Sequence, residues 1–250
     1  MHTALKELLF KMADDQLVLG HRNAEWTGLG PLLEEDIAFA SIAQDKVGHA
    51  RQLYILLNNL GESDPDHLAF MRRASEYRCS HFVQLPVGEY DFSLVRHFLF
   101  DLAELVRFDA LRSSSYKPLS DLANKYYGEI KYHAMHARTW LKRLGNANED
   151  AIERMQIALD YAMPFALGIF EPSPYEDILV TSGVFIGEQE LKERWFMKIA
   201  EVINLTQLEL PDVRILSPVY GGRMGEHTQF LEPLLEEMSE VFKLDPQAEW

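Results

Sequence analysis

Four residues of metal-ligating type fall where helical apolar stripes should run unbroken: Glu25, His49, Asp101 and His133. The stripe Ala38/Phe39, Ile42, Lys46, His49, Leu53 steps by three or four residues and turns polar in its middle. So does Leu94, Phe98, Asp101, Leu105, Phe108, and so does Leu122, Tyr126, Ile130, His133, Ala137, Trp140. A core-facing helix normally turns an apolar stripe inward. A carboxylate or imidazole in that place on each of four helices is the skeleton of a carboxylate di-metal site. A complete site takes a carboxylate from each of two helices and a Glu-x-x-His pair from each of the other two. Residues i and i+3 share one helix face, so carboxylate and imidazole converge on one ion. Four carboxylates also balance two divalent ions where uncompensated charge is not tolerated.

Both pairs are broken in this chain. Three residues before His49 stands Lys46, and three before His133 stands Ile130. An ammonium has no lone pair and repels a cation, and a hydrocarbon side chain offers no donor atom. The spacing therefore predicts a degenerate site that holds no metal and performs no catalysis. Lys46 is expected to stand in for the lost cation, paired with Glu25 and Asp101, because a buried charge is tolerable only when paired. His49 and His133 are expected to be hydrogen-bonded nearby. Alternatives stay open within a residue or two of helix phase. Glu104 could be the inward carboxylate in place of Asp101. Asp45 and Glu129 lie four residues before His49 and His133, and with Glu25 and Asp101 they would make a shifted ligand set for an autonomous di-metal oxidase or storage protein.

The elements that must position these residues are helical, and strand patterning is nearly absent. Periodicity predicts helices over about 3–27, 34–60, 65–78, 91–115, 118–144, 149–170, 188–207 and 227–243. Gly28-Leu29-Gly30-Pro31 separates the first two. Glu34, Glu35 and Asp36 favour the positive end of the second, and Gly61 is placed to end it. Pro118 sits in a tolerated first-turn position, and Pro164 is expected to kink its helix. Residues 210–225 read as loop. The fold class is all-α: an antiparallel four-helix bundle with additional flanking helices, forming a single domain over 1–250.

Composition narrows the function classes. The 250 residues carry 24 basic and 39 acidic side chains, for a formal charge of −15. That argues against a duplex nucleic-acid binder, which needs a basic face to neutralise phosphates, and against docking on an anionic membrane. A single cysteine, Cys79, excludes a disulfide framework and a Cys-based metal site within one chain, and reads as an inert thiol. No apolar run approaches a membrane span, and the N-terminal stretch lacks a signal-peptide core, so a cytoplasmic location is expected. His97 and His136 read as surface or packing residues, and Trp26, Trp140 and Trp195 as core or interface anchors.

Longer strings carry a resemblance. LVLGHRNAEWTG (17–28), IAQDKVGHARQLY (42–54), GEIKYHAMHARTWLKRLGN (128–146), GGRMGEHT (221–228) and the terminal Trp250 resemble the PaaC family. These are the second ferritin-like subunits of bacterial phenylacetyl-CoA 1,2-epoxidase, the multicomponent monooxygenase of phenylacetate degradation. The resemblance covers nearly the whole chain. It implies a ferritin-like bundle and a non-catalytic structural subunit, a hetero-oligomer partner that stabilises the catalytic di-iron subunit. In that catalytic subunit glutamates stand at the positions of Lys46 and Ile130 and bind metal. The resemblance places the di-iron centre in the partner, with NADPH, FAD and an iron–sulfur cluster in the reductase of the complex, and with small accessory subunits as further partners. No cofactor is expected on this chain itself. Gly221-Gly222-Arg223-Met224-Gly225 allows a contact between Arg223 and a CoA phosphate, or is an ordinary glycine-rich turn before a helix.

Overall fold

Apolar residues at helical spacing, punctuated by glycine and proline, produce ten α-helices and no strand among the described residues of this computed structural model, which are 1–246 and 248. They are α1 (His2–Ala24), α2 (Leu33–Asn59), α3 (Pro65–Phe70), α4 (His81–Gln84), α5 (Tyr90–Leu111), α6 (Lys117–Leu144), α7 (Glu149–Leu167), α8 (Glu176–Thr181), α9 (Glu188–Ile203) and α10 (Leu231–Leu244). Trp250, the last residue of the resemblance, lies outside the described residues.

The chain forms two compact units. One comprises His2–Pro86 and the described residues from Gly221 on, here called the outer unit because it takes the two outer stretches of the sequence; the other is Met1 with Val87–Tyr220, here called the central unit because it takes the middle of the sequence. In the outer unit, α1 packs along α2, α4 lies on α1, and α10 meets α3. Leu5, Leu8, Leu9, Met12, Leu53, Tyr54 and Leu57 are buried in its core. In the central unit α5 is the hub, buried on nearly every face and packed by α6, α7 and α9.

Helix ends follow local chemistry. After α2, Gly61 takes φ +89°; its N–H donates to the Asn58 carbonyl, and the Glu62 N–H to that of Leu57, a Schellman closure that only glycine enters without strain. Asp64 caps α3 and Asn148 caps α7, each accepting from an N–H three residues on. The stretch expected as one helix over 65–78 instead stops at Phe70 and continues as a 3₁₀ turn, Ala74–Glu76. The cause is Arg72. Its guanidinium turns inward to Asp14, and Tyr77 donates back to the Ala69 carbonyl at 2.6 Å. α7 runs on through Pro164 to Leu167, and the Pro164 carbonyl accepts from the Val219 N–H.

The GGRMGEHT string closes the outer unit. A Cβ on Gly222 would stand 2.2 Å from the Cys79 carbonyl oxygen, so no side chain fits there. The Arg223 guanidinium is buried, 2.7 Å from Asp15 and 2.7 Å from the Arg78 carbonyl. The Gln84 amide is held at both ends. Thr228 donates twice to its oxygen, so its NH₂ is directed at His227 Nδ1, 2.9 Å away.

Candidate functional site

In the outer unit, α2 brings Lys46 and His49 onto one buried face, each 1% exposed. α1 comes close at this level because it carries Gly20. A Cβ there would meet Val47 Cγ2 at 2.9 Å, the Ala43 carbonyl oxygen at 3.3 Å and Lys46 Cβ at 3.4 Å. A bulkier residue would push the two helices apart where the lysine enters the core. Lys46 is not without a partner, as a buried ammonium requires.

Glu25 is not part of this buried face, contrary to the expectation that it pairs with Lys46. α1 ends at Ala24, and the Trp26 N–H folds back to the Asn23 carbonyl, so residue 25 leaves the inward stripe. Its carboxylate is 36% exposed and 2.6 Å from the Arg22 guanidinium. Arg22 is anchored in turn by the carbonyls of Gln84 (3.0 Å and 3.2 Å) and Phe230 (3.3 Å). A helix expected over 3–27 runs three residues too far, and that overrun turns Glu25 the wrong way.

In the central unit, Asp101 on α5 is fully buried. One carboxylate oxygen lies 2.6 Å from His97 Nδ1, one helical turn away, and the other lies 3.6 Å from His133 Nδ1 on α6. His97 continues outward, its Nε2 3.1 Å from His136 Nδ1. His136, His97, Asp101 and His133 thus form a polar chain from the half-buried edge of α6 into the core. Ile130, one turn before His133, is buried at 1% exposure. His97 and His136 are therefore more than packing residues; the signal that identifies them is the i,i+4 spacing from His97 to Asp101 combined with the next turn of α6 after His133. Glu104 is buried as well, but Arg107 lies 3.6 Å from it and bridges to Glu188 at 3.2 Å. Asp101, not Glu104, is therefore the carboxylate among the histidines.

Within each unit the residue three before the histidine, Lys46 or Ile130, offers no ligand to a metal ion. Of the shifted candidates, Glu129 is exposed and Asp45 half-buried on the flank of α2. Among the described residues, no three His, Cys, Asp or Glu side chains come together as a group that could hold a metal ion. Arg223 is likewise corrected: its guanidinium is buried against Asp15 and backbone carbonyls, turned away from any approaching phosphate. Burial pushes the Cys79 thiol well up, helped by the Asp14 and Asp15 carboxylates, so thiolate chemistry is suppressed. Trp195 is a core anchor, its indole N–H 2.8 Å from the Leu99 carbonyl. Trp26 and Trp140 are half-buried. No helix among the described residues is long and apolar enough to cross a membrane.

An all-helical chain with histidines and a carboxylate buried in its helices points to a class of protein, and the comparisons with known proteins name the family. The family of phenylacetic acid catabolic proteins matches residues 1–250, and this chain belongs to it. Its fold is accordingly all-α and ferritin-like. The chain is also similar to a subunit of the 1,2-phenylacetyl-CoA epoxidase of Escherichia coli (strain K12). The two are 30% identical over 241 residues, spanning 96% of each.

Proposed function

We propose that this chain is the non-catalytic, structural subunit of a phenylacetyl-CoA 1,2-epoxidase, pairing with a di-iron catalytic subunit and stabilising it in aerobic phenylacetate breakdown. The observation that carries this reading is Lys46, fully buried on the α2 face where a metal site would need a carboxylate. Ile130 makes the same break on α6 without charge. Oxygen activation then belongs to the partner, with electrons supplied through a reductase using NADPH, FAD and an iron–sulfur cluster. This chain's own residues supply rigidity: Lys46 replaces a cation electrostatically, and Asp101 is held by His97 at 2.6 Å. An autonomous oxidase would need Glu129 to turn inward, against its exposed position.

The test is reconstitution. The purified chain, mixed with the di-iron subunit of the Escherichia coli type of enzyme, should co-elute in gel filtration and raise that subunit's melting temperature. Epoxidation should then require both chains. Separate elution with full activity of the catalytic subunit alone contradicts the proposal.

A further inference from the structure

A groove of about 650 Å³ opens on the central unit along the outer side of α6. Its walls carry Lys131, Arg138 and Lys142 from α6 and Lys198 from α9, with Tyr132 also in the lining. At a rise of 1.5 Å per residue, the α6 cations spread along roughly 16 Å. Arg138, Lys142 and Lys198 are half-buried, sunk into the walls rather than waving in solvent. No ion pair joins any of the four to a carboxylate among the described residues. That is unexpected in a chain with 39 acidic and 24 basic side chains, where a cation readily finds a neutralising neighbour.

We propose that this groove binds a nucleoside di- or triphosphate. The cations take the phosphates, and the base lies on Tyr132, whose ring is half exposed. Two physical arguments favour a small ligand over a macromolecule. The volume lies in the range of small-molecule sites, whereas a protein partner needs a face of about 800 Å². The net charge of −15 repels a long polyanion at range, but beyond about 8–10 Å that field is screened and the four local cations dominate. A guanidinium and three ammonium groups supply charge-assisted bonds to phosphate oxygens. The aromatic ring makes the site prefer a nucleotide to inorganic polyphosphate.

The experiment is titration calorimetry of the full chain at low salt with ADP, pyrophosphate and adenosine as probes. ADP should bind at one site per chain, pyrophosphate more weakly, and adenosine not measurably. Lys142→Gln with Lys198→Gln should weaken ADP and pyrophosphate by about tenfold or more, since hydrogen bonds to charged groups are lost. Tyr132→Ala, at a half-exposed position, should weaken ADP several-fold and leave pyrophosphate unchanged. Circular dichroism and melting curves of each variant confirm that it folds. Absence of ADP binding, or ADP binding indifferent to the Lys142/Lys198 pair, overturns the proposal. So does an oligoglutamate peptide that displaces ADP more strongly than pyrophosphate does, because the site would then be made for a protein segment.

Discussion

α2 and α6 differ in kind at the residue three before their buried histidines. On α2 the residue three before the histidine is a buried cation; on α6 it is a buried hydrocarbon. Ile130 needs nothing from its surroundings, since an apolar side chain in a helical stripe is stabilised by burial alone. Lys46 carries a charge that must be compensated inside the core, so its presence constrains what surrounds it. The position three before the histidine is thus ordinary packing on α6 and a buried positive charge on α2. The difference assigns electrostatic work to α2 and only structural work to α6.

The same substitution at both positions breaks or sharpens that contrast. Lys46→Met keeps the length and removes the charge, leaving whatever pairs with it buried and uncompensated. Its expected cost is about 3–5 kcal/mol in urea unfolding of the chain. Next comes Gly20→Ala, whose new methyl must displace Val47 Cγ2 from 2.9 Å at the level where Lys46 enters. Overpacking there should cost about 1–3 kcal/mol by the same measurement. Ile130→Met, a nearly volume-conserving apolar swap, should cost less than about 1.5 kcal/mol. Equal losses for Lys46→Met and Ile130→Met would erase the contrast between the helices.

The smallest effect is expected at His227, as a pH dependence. Burial lowers its pKa from the ordinary 6.5, and the geometry supports the neutral ring. Nδ1 accepts from the Gln84 NH₂, and Nε2 is left to donate to the Tyr77 carbonyl. The unfolded chain then binds more protons than the folded chain just below pH 6.5, so stability falls as pH drops through that window and is retained above it. His227→Gln should flatten this limb in melting curves recorded between roughly pH 5 and 7, and an unchanged slope would remove His227 as its source.

How much is legible in the sequence follows the same division. The long helices, the Gly61 stop and the buried Lys46, His49, Asp101 and His133 all follow from apolar period and turn chemistry, which are local signals. Glu25 escapes such signals because the end of α1 depends on Arg22 reaching the carbonyls of Gln84 and Phe230, 62 and 208 residues away. Arg223 escapes them for a similar reason: a glycine-rich string resembles a phosphate cradle until Asp15, 208 residues earlier, claims the guanidinium. The His97–Asp101 contact is within reach of sequence reasoning, since i,i+4 is a helix-face spacing. It is hidden because a histidine inside an apolar run reads as packing.

The most direct measurement is iron and manganese per chain, by elemental analysis of the protein produced alone in metal-supplemented medium. A degenerate site gives well below one ion per chain, and Lys46→Glu combined with Ile130→Glu raises it. A value near two ions in the unaltered chain contradicts the structural-subunit reading and requires that this chain be assayed as an oxidase in its own right.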